Sequence, residues 1–432
     1  MKNMLVLPAA FLAAGSLFAQ SLTITVHNEL PFARPSETVE LTAAQLAPLG
    51  SDLTKIHVFE SGTNREVLAQ ALPESLIFQT DLPSRGERTF ELRVGEKRTY
   101  KPSDFRVYGR FNRERFDDFA WENDRVAHRM YGAALETWEK EPLTSSTVDV
   151  WLKRTRRLVL NDWYMADDYH RDNGEGADFY SAGKSRGCGG NGLWRDGKLV
   201  VSKNFRESRV LANGPIRLVF ELRYPDFGET KRITLDAGQN FNRFESRYDS
   251  SADATYAAGM KKEPKTQFRV ERAAGWVRAW GPVKDNAGEF GCAVVLDPAA
   301  IVDVVEAEGN QLVVARMPVV YWVGSGWDRG GDFAGVADFD REIDRWTQRV
   351  RSPLKVEVRT RAGGAPEGSR WRSANALPPV RMSRTTIPPQ RGGRETSTAP
   401  LGRISHGPYS RWRRVALATG YPLERLRRRS TP

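Results

Sequence analysis

The stretch Ile216-Arg217-Leu218-Val219-Phe220-Glu221-Leu222-Arg223-Tyr224 decides the class of fold, read with Asn213-Gly214-Pro215 before it and Asp236-Ala237-Gly238 after Lys231 to Leu235. Apolar and polar residues alternate along it, which is the period of a strand with one buried face. The Asn, Asp, Gly and Pro clusters are turn residues, so Lys231 to Leu235 and Phe241 to Tyr248 read as the next strands of a meander. The same pattern extends outward in both directions. Upstream lie Leu22 to Val26, Thr38 to Leu41, Lys55 to Phe59, Ser75 to Gln79, Arg88 to Val94, Asp104 to Tyr108, a strand from Arg125 onward, Thr147 to Trp151 and Arg156 to Leu160. Downstream lie Gln267 to Arg272, Trp276 to Trp280, Gly291 to Leu296, Val302 to Val305, Leu312 to Trp322 and Leu354 to Val358. One segment, Asp338 to Val350, places Phe339, Ile343, Trp346 and Val350 at helical spacing. The expectation is a mostly β protein, a large antiparallel β-sandwich with few helices.

Composition divides the chain further. Met1-Lys2-Asn3, an apolar run from Met4 to Phe18 and then Ala19 form the pattern of a secretory signal peptide over residues 1–19, too short for a membrane span. Residues 20–103 read as an N-terminal β-rich part and 104–358 as the main sandwich. From Arg359 to Pro432 there are 16 Arg and 3 acidic residues, +13, so a net charge of +11 leaves −2 for the rest. That Arg-, Pro-, Gly- and Ser-rich tail is expected to be disordered. A near-neutral body behind an export signal argues against nucleic-acid binding. Two cysteines, Cys188 and Cys292, exclude a disulfide framework; a single bridge and two separate buried thiols both remain open.

The chemistry concentrates in Trp163 to Lys198, where aromatics, a histidine, both charge signs and the glycine run Gly187-Cys188-Gly189-Gly190-Asn191-Gly192 share what reads as one long loop. Such a mixture suits a polar ligand, with rings to stack on, charges to orient it and glycines to let backbone approach. His170 lies between Tyr169 and Tyr180, and His128 lies near Tyr131; histidine and tyrosine are a usual Brønsted pair for removing a proton from carbon. Asn123, Arg129, Lys153 and Arg195 are candidates to hold and neutralise a substrate carboxylate, with Asp178 and Trp194 beside the ligand. A second reading takes Glu122 or Asp124 with Glu175 or Asp178 as a carboxylate pair for glycoside hydrolysis. The spacing of His170, Glu175 and Asp178 matches no metal-ligand signature, and the glycine run lacks the Lys and Ser/Thr of a phosphate loop, so no metal or cofactor is expected.

Trp121 to Arg125 with His128, Arg129, Tyr131 and Gly132, then Asp149-Val150-Trp151 with Lys153 and Arg154, then Tyr169-His170, Gly174 to Tyr180 and Gly187 to Gly190, resemble the secreted bacterial family catalogued as domain of unknown function 4861. Asn28, Pro31, Ala33, Arg34 and Leu235 to Gly238 extend the resemblance, which covers Ser21 to Val358 and excludes the tail. It implies a periplasmic or secreted protein associated with the degradation of uronic-acid-containing polysaccharides. A galactose-mutarotase-like supersandwich follows by analogy only. The combined expectation is a lyase or dehydratase acting by β-elimination on a uronic-acid-containing oligosaccharide. His170 or His128 would be the base and Tyr131 or Tyr180 the acid. The alternatives are the carboxylate hydrolase, with Glu175 essential, and a glycan-binding protein without catalysis.

Overall fold

The computed structural model describes residues 21–361 apart from 116, 140–142, 144–145, 167 and 250–253. The expected signal peptide and all but the first residues of the expected tail lie outside these. Among the described residues, no helix is long and apolar enough to cross a membrane.

The protein is mostly β with few helices, and among the described residues its named strands pair antiparallel. Its largest sheet has eight strands in the order Glu207–Asn213, Arg217–Arg223, Thr230–Asp236, Phe241–Arg247, Val319–Trp327, Glu289–Val295, Trp276–Pro282 and Gln267–Glu271. The alternation read from the sequence sets its register. Leu218 pairs with Leu235 and Phe220 with Ile233, so the apolar set of neighbouring strands shares one face. That face packs against two further sheets. One is the five strands Lys198–Val200, Cys188–Arg195, Thr255–Lys261, Asn310–Arg316 and Ile301–Ala307. The other is the five strands Gly176–Ala177, Asp149–Lys153, Ala127–Met130, Asp118–Asn123 and Val107–Asn112. Phe220 stacks on Phe119 at 4.1 Å and leans on Trp121 at 5.1 Å, joining the large sheet to this last one. Each such ring, fully buried, contributes roughly 1.5–3 kcal/mol.

The opposite face of the large sheet is covered by the helix Val336–Arg351, whose Phe339 and Ile343 pack with Trp276, Trp280 and Phe241. The last strand, expected at Leu354 to Val358 in the main sandwich, runs Lys355–Arg361 and pairs instead with Ser21–His27. It belongs to an N-terminal sheet with Glu87–Val94, Ile56–Glu60 and Glu66–Val67, so Arg359 to Arg361 are strand rather than tail.

Two local readings change. The glycine run is not a loop: Cys188–Arg195 is an eight-residue strand with a bulge between Cys188 and Gly190. A Cβ on Gly189, at φ +95°, would collide with the side chain of Val323, so glycine is required there by close sheet packing. Arg156 to Leu160 is not a strand; Leu160–Tyr164 is a short helix. Glu122 and Asn123 end the strand Asp118–Asn123. Cys188 and Cys292 form a disulfide, which joins the glycine strand to the large sheet across 104 residues of sequence.

Candidate functional site

The sheet Val107–Asn112 to Gly176–Ala177 carries the site because its strands alternate two incompatible faces. Phe119, Trp121, Met130, Val150 and Leu152 point into the core. Asp118, Glu122, Arg129, Asp149, Trp151 and Lys153 take the other face, with Arg129 directly opposite Asp149 and Ala127 opposite Trp151. Solvent does not cover that second face. Residues of the stretch from Val159 to Asp178, including the helix Leu160–Tyr164, lie against it, and every one of these polar residues is buried.

Arg129 is the hub. Its Nε donates to Asp149 Oδ2 at 2.7 Å and its Nη2 to Asp178 Oδ2 at 2.8 Å. Its Nη1 reaches the Tyr169 hydroxyl at 3.1 Å and Asp118 Oδ2 at 3.5 Å. Tyr131 donates to Asp149 Oδ2 at 2.9 Å, and Tyr164 to Asp118 Oδ2 at 3.4 Å. Trp151 closes one side, stacked on Trp163 at 5.5 Å and leaning on Tyr164 and Tyr169 at 4.8 and 5.4 Å. His170 stands at the rim with its side chain 59 % exposed. Its Nδ1 lies 3.0 Å from the Asp178 carbonyl oxygen and 3.5 Å from that residue's carboxylate.

Three carboxylates around one guanidinium leave an excess of negative charge, and the cluster relieves it at Asp118. Burial, against the pull of Arg129, pushes the Asp118 carboxyl up to about 7, and neighbouring Asp149 adds to the rise. Burial likewise raises the Tyr131 and Tyr164 phenols well above their ordinary range. The cluster therefore holds one carboxyl whose proton is exchangeable near neutral pH, beside two further carboxyl groups hydrogen-bonded to Arg129. That is the difference in environment that acid–base chemistry needs. Among the described residues, no group of three or more His, Cys, Asp or Glu is arranged to hold a metal ion; the three aspartates converge on a guanidinium.

Of the residues expected from sequence, Arg129, Tyr131, Asp178 and His170 meet here. The others do not. His128 faces the core, stacked on Trp121 at 5.4 Å with Ser325 Oγ at 3.4 Å, and burial drives its pKa down to about 3. Asn123 is consumed by its turn: its amide donates to Asp236 O and Gln239 O, both at 2.7 Å, and its oxygen accepts from the backbone of Arg125 and Val126. Lys153 is locked on Glu122 at 2.6 Å and on Asn123 O at 2.7 Å, with neither side chain exposed. Glu122 in turn accepts the backbone N–H groups of Val159 and Leu160, which ties down the start of the short helix. Asp124 binds Arg106 and the backbone of Gly238. Glu175 is paired with Arg157 at the surface.

Tyr180 leans on Phe290 at 5.3 Å and lines a separate pocket with Ser181, Lys261 and Glu263. Trp194 packs on the buried cluster of Leu199, Ala257, Leu312 and Val314, and Arg195 stands over the Phe227 ring at 5.0 Å. A shallow cleft adjoins the site through Trp151, with Trp327, Arg125 and Asp332 on its walls. The sequence reading missed Asp118, Asp149 and Tyr164. The available signal was strand alternation, since Asp149, Trp151 and Lys153 interleave with Val148, Val150 and Leu152 and so mark one polar face.

The chain is 29 % identical over 388 residues to Uncharacterized protein P7 of Formosa agariphila, covering 81 % of this chain and 98 % of the relative. Among solved structures, it is similar to an α-mannosidase from Enterococcus faecalis V583, at a TM-score of 0.46 and 9 % identity. It is also similar to a protein in glycosyl hydrolase family 38 from Enterococcus faecalis, at a TM-score of 0.43 and 10 % identity. These cover 81 and 80 % of this chain, which spans about half the length of each (47 and 48 %). The model of the family described as domain of unknown function (DUF4861) matches residues 26–356, and the chain belongs to that family.

Proposed function

We propose that this is an exported carbohydrate-active enzyme that hydrolyses a glycosidic bond at the Arg129 cluster. Asp118 would be the acid that protonates the leaving oxygen. Asp149 or Asp178 would be the carboxylate that attacks the anomeric carbon or activates water. The observation that carries this reading is the gathering of three aspartates on one arginine, with the Asp118 carboxyl near 7. Trp151, Trp163 and Tyr169 are rings of the kind sugars stack on. Tyr169 and His170 form the rim through which a sugar would enter.

The same geometry weighs against elimination on a uronic acid at this site. Abstraction beside a carboxylate needs a cation to neutralise the developing charge. Arg129 already faces three carboxylates and Lys153 is held by Glu122. The reacting sugar is therefore a neutral one, whatever the rest of the glycan carries. Export rests on the leader pattern of residues 1–19.

The test is purified protein against a panel of neutral and uronic-acid-containing oligosaccharides, following product mass and ultraviolet absorbance together. Hydrolysis gives products that gain water at flat absorbance, and Asp118→Asn lowers kcat at least a hundredfold on the same substrate. Unsaturated products with rising absorbance would overturn the reading in favour of His170 and Tyr169 as base and acid. Binding without turnover would leave a glycan-binding protein.

A further inference from the structure

The pocket beside Tyr180 borders the shallow cleft that runs past Trp151, because Phe290 lines both. Phe290 lies directly opposite Trp327 on the neighbouring strand. Phe179 leans on Trp327 at 5.9 Å, and Tyr180 leans on Phe290 at 5.3 Å. A row of rings therefore leads from the cleft into the pocket. The same stretch of chain also builds the Arg129 cluster. Asp178 binds the guanidinium, and Tyr180 follows two residues later, at most about 7 Å along the backbone.

The pocket is held in shape from several sides. Lys261 Nζ donates to the Ser181 carbonyl oxygen at 2.6 Å, which ties the Tyr180 segment to the strand Thr255–Lys261. The loop from Val283 to Gly288 borders the pocket and carries Asp285 and Asn286 in the left-handed region, at φ +58° and +54°. It is pinned by Trp327, whose indole donates to Ala287 O at 2.7 Å, and by Arg329, which donates to Asn286 O at 2.6 Å. Such backbone persists where surrounding contacts over-determine it, a condition that recurs at ligand sites.

Tyr180 has an unused polar group. It is half-buried, and among the described residues its hydroxyl has no hydrogen-bond partner, whereas those of Tyr131 and Tyr164 bond to aspartates. A largely buried tyrosine hydroxyl ordinarily finds a partner. Burial, with Asp149 and Glu263 adding to it, holds the phenol well above its ordinary range, so it remains a neutral donor and acceptor. The charges nearby select no ion. Lys261 pairs with Glu263, and Lys284 is exposed to water, which weakens its pull. Rings beside a phenol and a partly exposed carboxylate suit an uncharged ligand rich in hydroxyls.

We propose that the Tyr180 pocket is a distal subsite of the Arg129 site and takes an uncharged sugar residue further along the same glycan, so that the substrate is an oligosaccharide. This rests on reading the Arg129 cluster as a glycoside hydrolase. The Tyr180 hydroxyl bonds a hydroxyl of the distal sugar, and Glu263 accepts from another.

The experiment is a chain-length series of cello-, xylo- and manno-oligosaccharides from one sugar to six, with kcat/KM and calorimetric Kd measured for four proteins. These are the wild type, Asp118→Asn, Thr266→Trp, which places an indole in the pocket, and Tyr180→Phe, which removes only the hydroxyl. Wild type should gain about tenfold or more in kcat/KM and affinity at the length that reaches the pocket, and both pocket variants should lose that gain. The readout is the ratio of long to short ligand, since a merely structural defect lowers both alike. Asp118→Asn should lose turnover and keep the length-dependent affinity. If Thr266→Trp fails to fold, Tyr180→Phe decides. Length-dependent binding that the pocket variants abolish, without turnover by the wild type, supports the subsite and sinks the hydrolase reading. Turnover that Asp118→Asn abolishes, with a long-to-short ratio that the pocket variants leave intact, overturns the subsite and leaves the hydrolase. Binding of none of these ladders overturns the subsite as well.

Discussion

Asp118 and His128 sit one strand apart on opposite faces of the same small sheet, and burial shifts them so that their effects on stability oppose each other. Asp118, raised from 3.8 to about 7, binds a proton in the folded state that the unfolded chain releases. Its contribution is full at low pH and is lost as pH rises from about 4 to 7. His128, lowered from 6.5 to about 3, does the reverse. The folded state excludes its proton, so its contribution is full above about pH 6.5 and is lost as pH falls. Between about pH 4 and 6.5 the two slopes cancel, each near 1.4 kcal/mol per pH unit. Asp118→Asn should unmask the histidine, with stability rising by about 3 kcal/mol across that window. His128→Phe should unmask the aspartate, with stability falling by a similar amount. Urea unfolding of wild type and both variants across the window checks this; parallel curves for all three would refute the assigned burial effects. At the same scale, Asp118 as the acid predicts that the basic limb of the kcat/KM profile lies near pH 7 and disappears in Asp118→Asn.

Among elements, the glycine strand Cys188–Arg195 is the most constrained. Gly189 combines a positive φ with contact against Val323, so Gly189→Ala should cost about 2–4 kcal/mol, measured as a loss in denaturant midpoint. The disulfide from Cys188 to Cys292 closes a span of 104 residues, for which loop entropy gives about 4–5 kcal/mol. Cys292→Ala should lower stability by that order, and reductant should then leave the variant's melting temperature unchanged while lowering that of the wild type. The strand Asp149–Lys153 shows how an element makes a site: its even face packs the core through Val150 and Leu152, and its odd face delivers Asp149, Trp151 and Lys153. Period two fixes which residues can be partners before any contact is made.

For the whole molecule, the last described strand ties the two ends of the described chain together. Lys355–Arg361 completes the N-terminal sheet by pairing along its length with Ser21–His27, and Val356 and Val358 pack on that sheet's core. A chain ending after Arg361 should melt like the full protein. One ending at Ser352 should lose several degrees, because it opens the sheet edge at Ser21–His27 and exposes Leu22, Ile24 and Val26 chemistry to pairing with other chains. Thermal melts and size-exclusion profiles of the two truncations separate these outcomes.

By itself the sequence determined the class of fold and the places of most elements, because the signals are local: alternation in Arg217–Arg223 and Thr230–Asp236, helical spacing in Val336–Arg351 and turn residues between strands. It also marked Arg129, Tyr131, His170 and Asp178 as chemically unusual company. Only the tertiary structure decided which of the marked residues act together. Asp118, Asp149 and Asp178 are separated by about thirty residues each in the chain and meet only because three strands and a covering segment converge on Arg129. The same folding turned His128 inward, where burial keeps it neutral, and locked Lys153 on Glu122 where neither can reach a ligand. A residue's type is written in the chain, but its charge state and its partners depend on burial and on contacts distant in sequence, and those are properties of the packed fold.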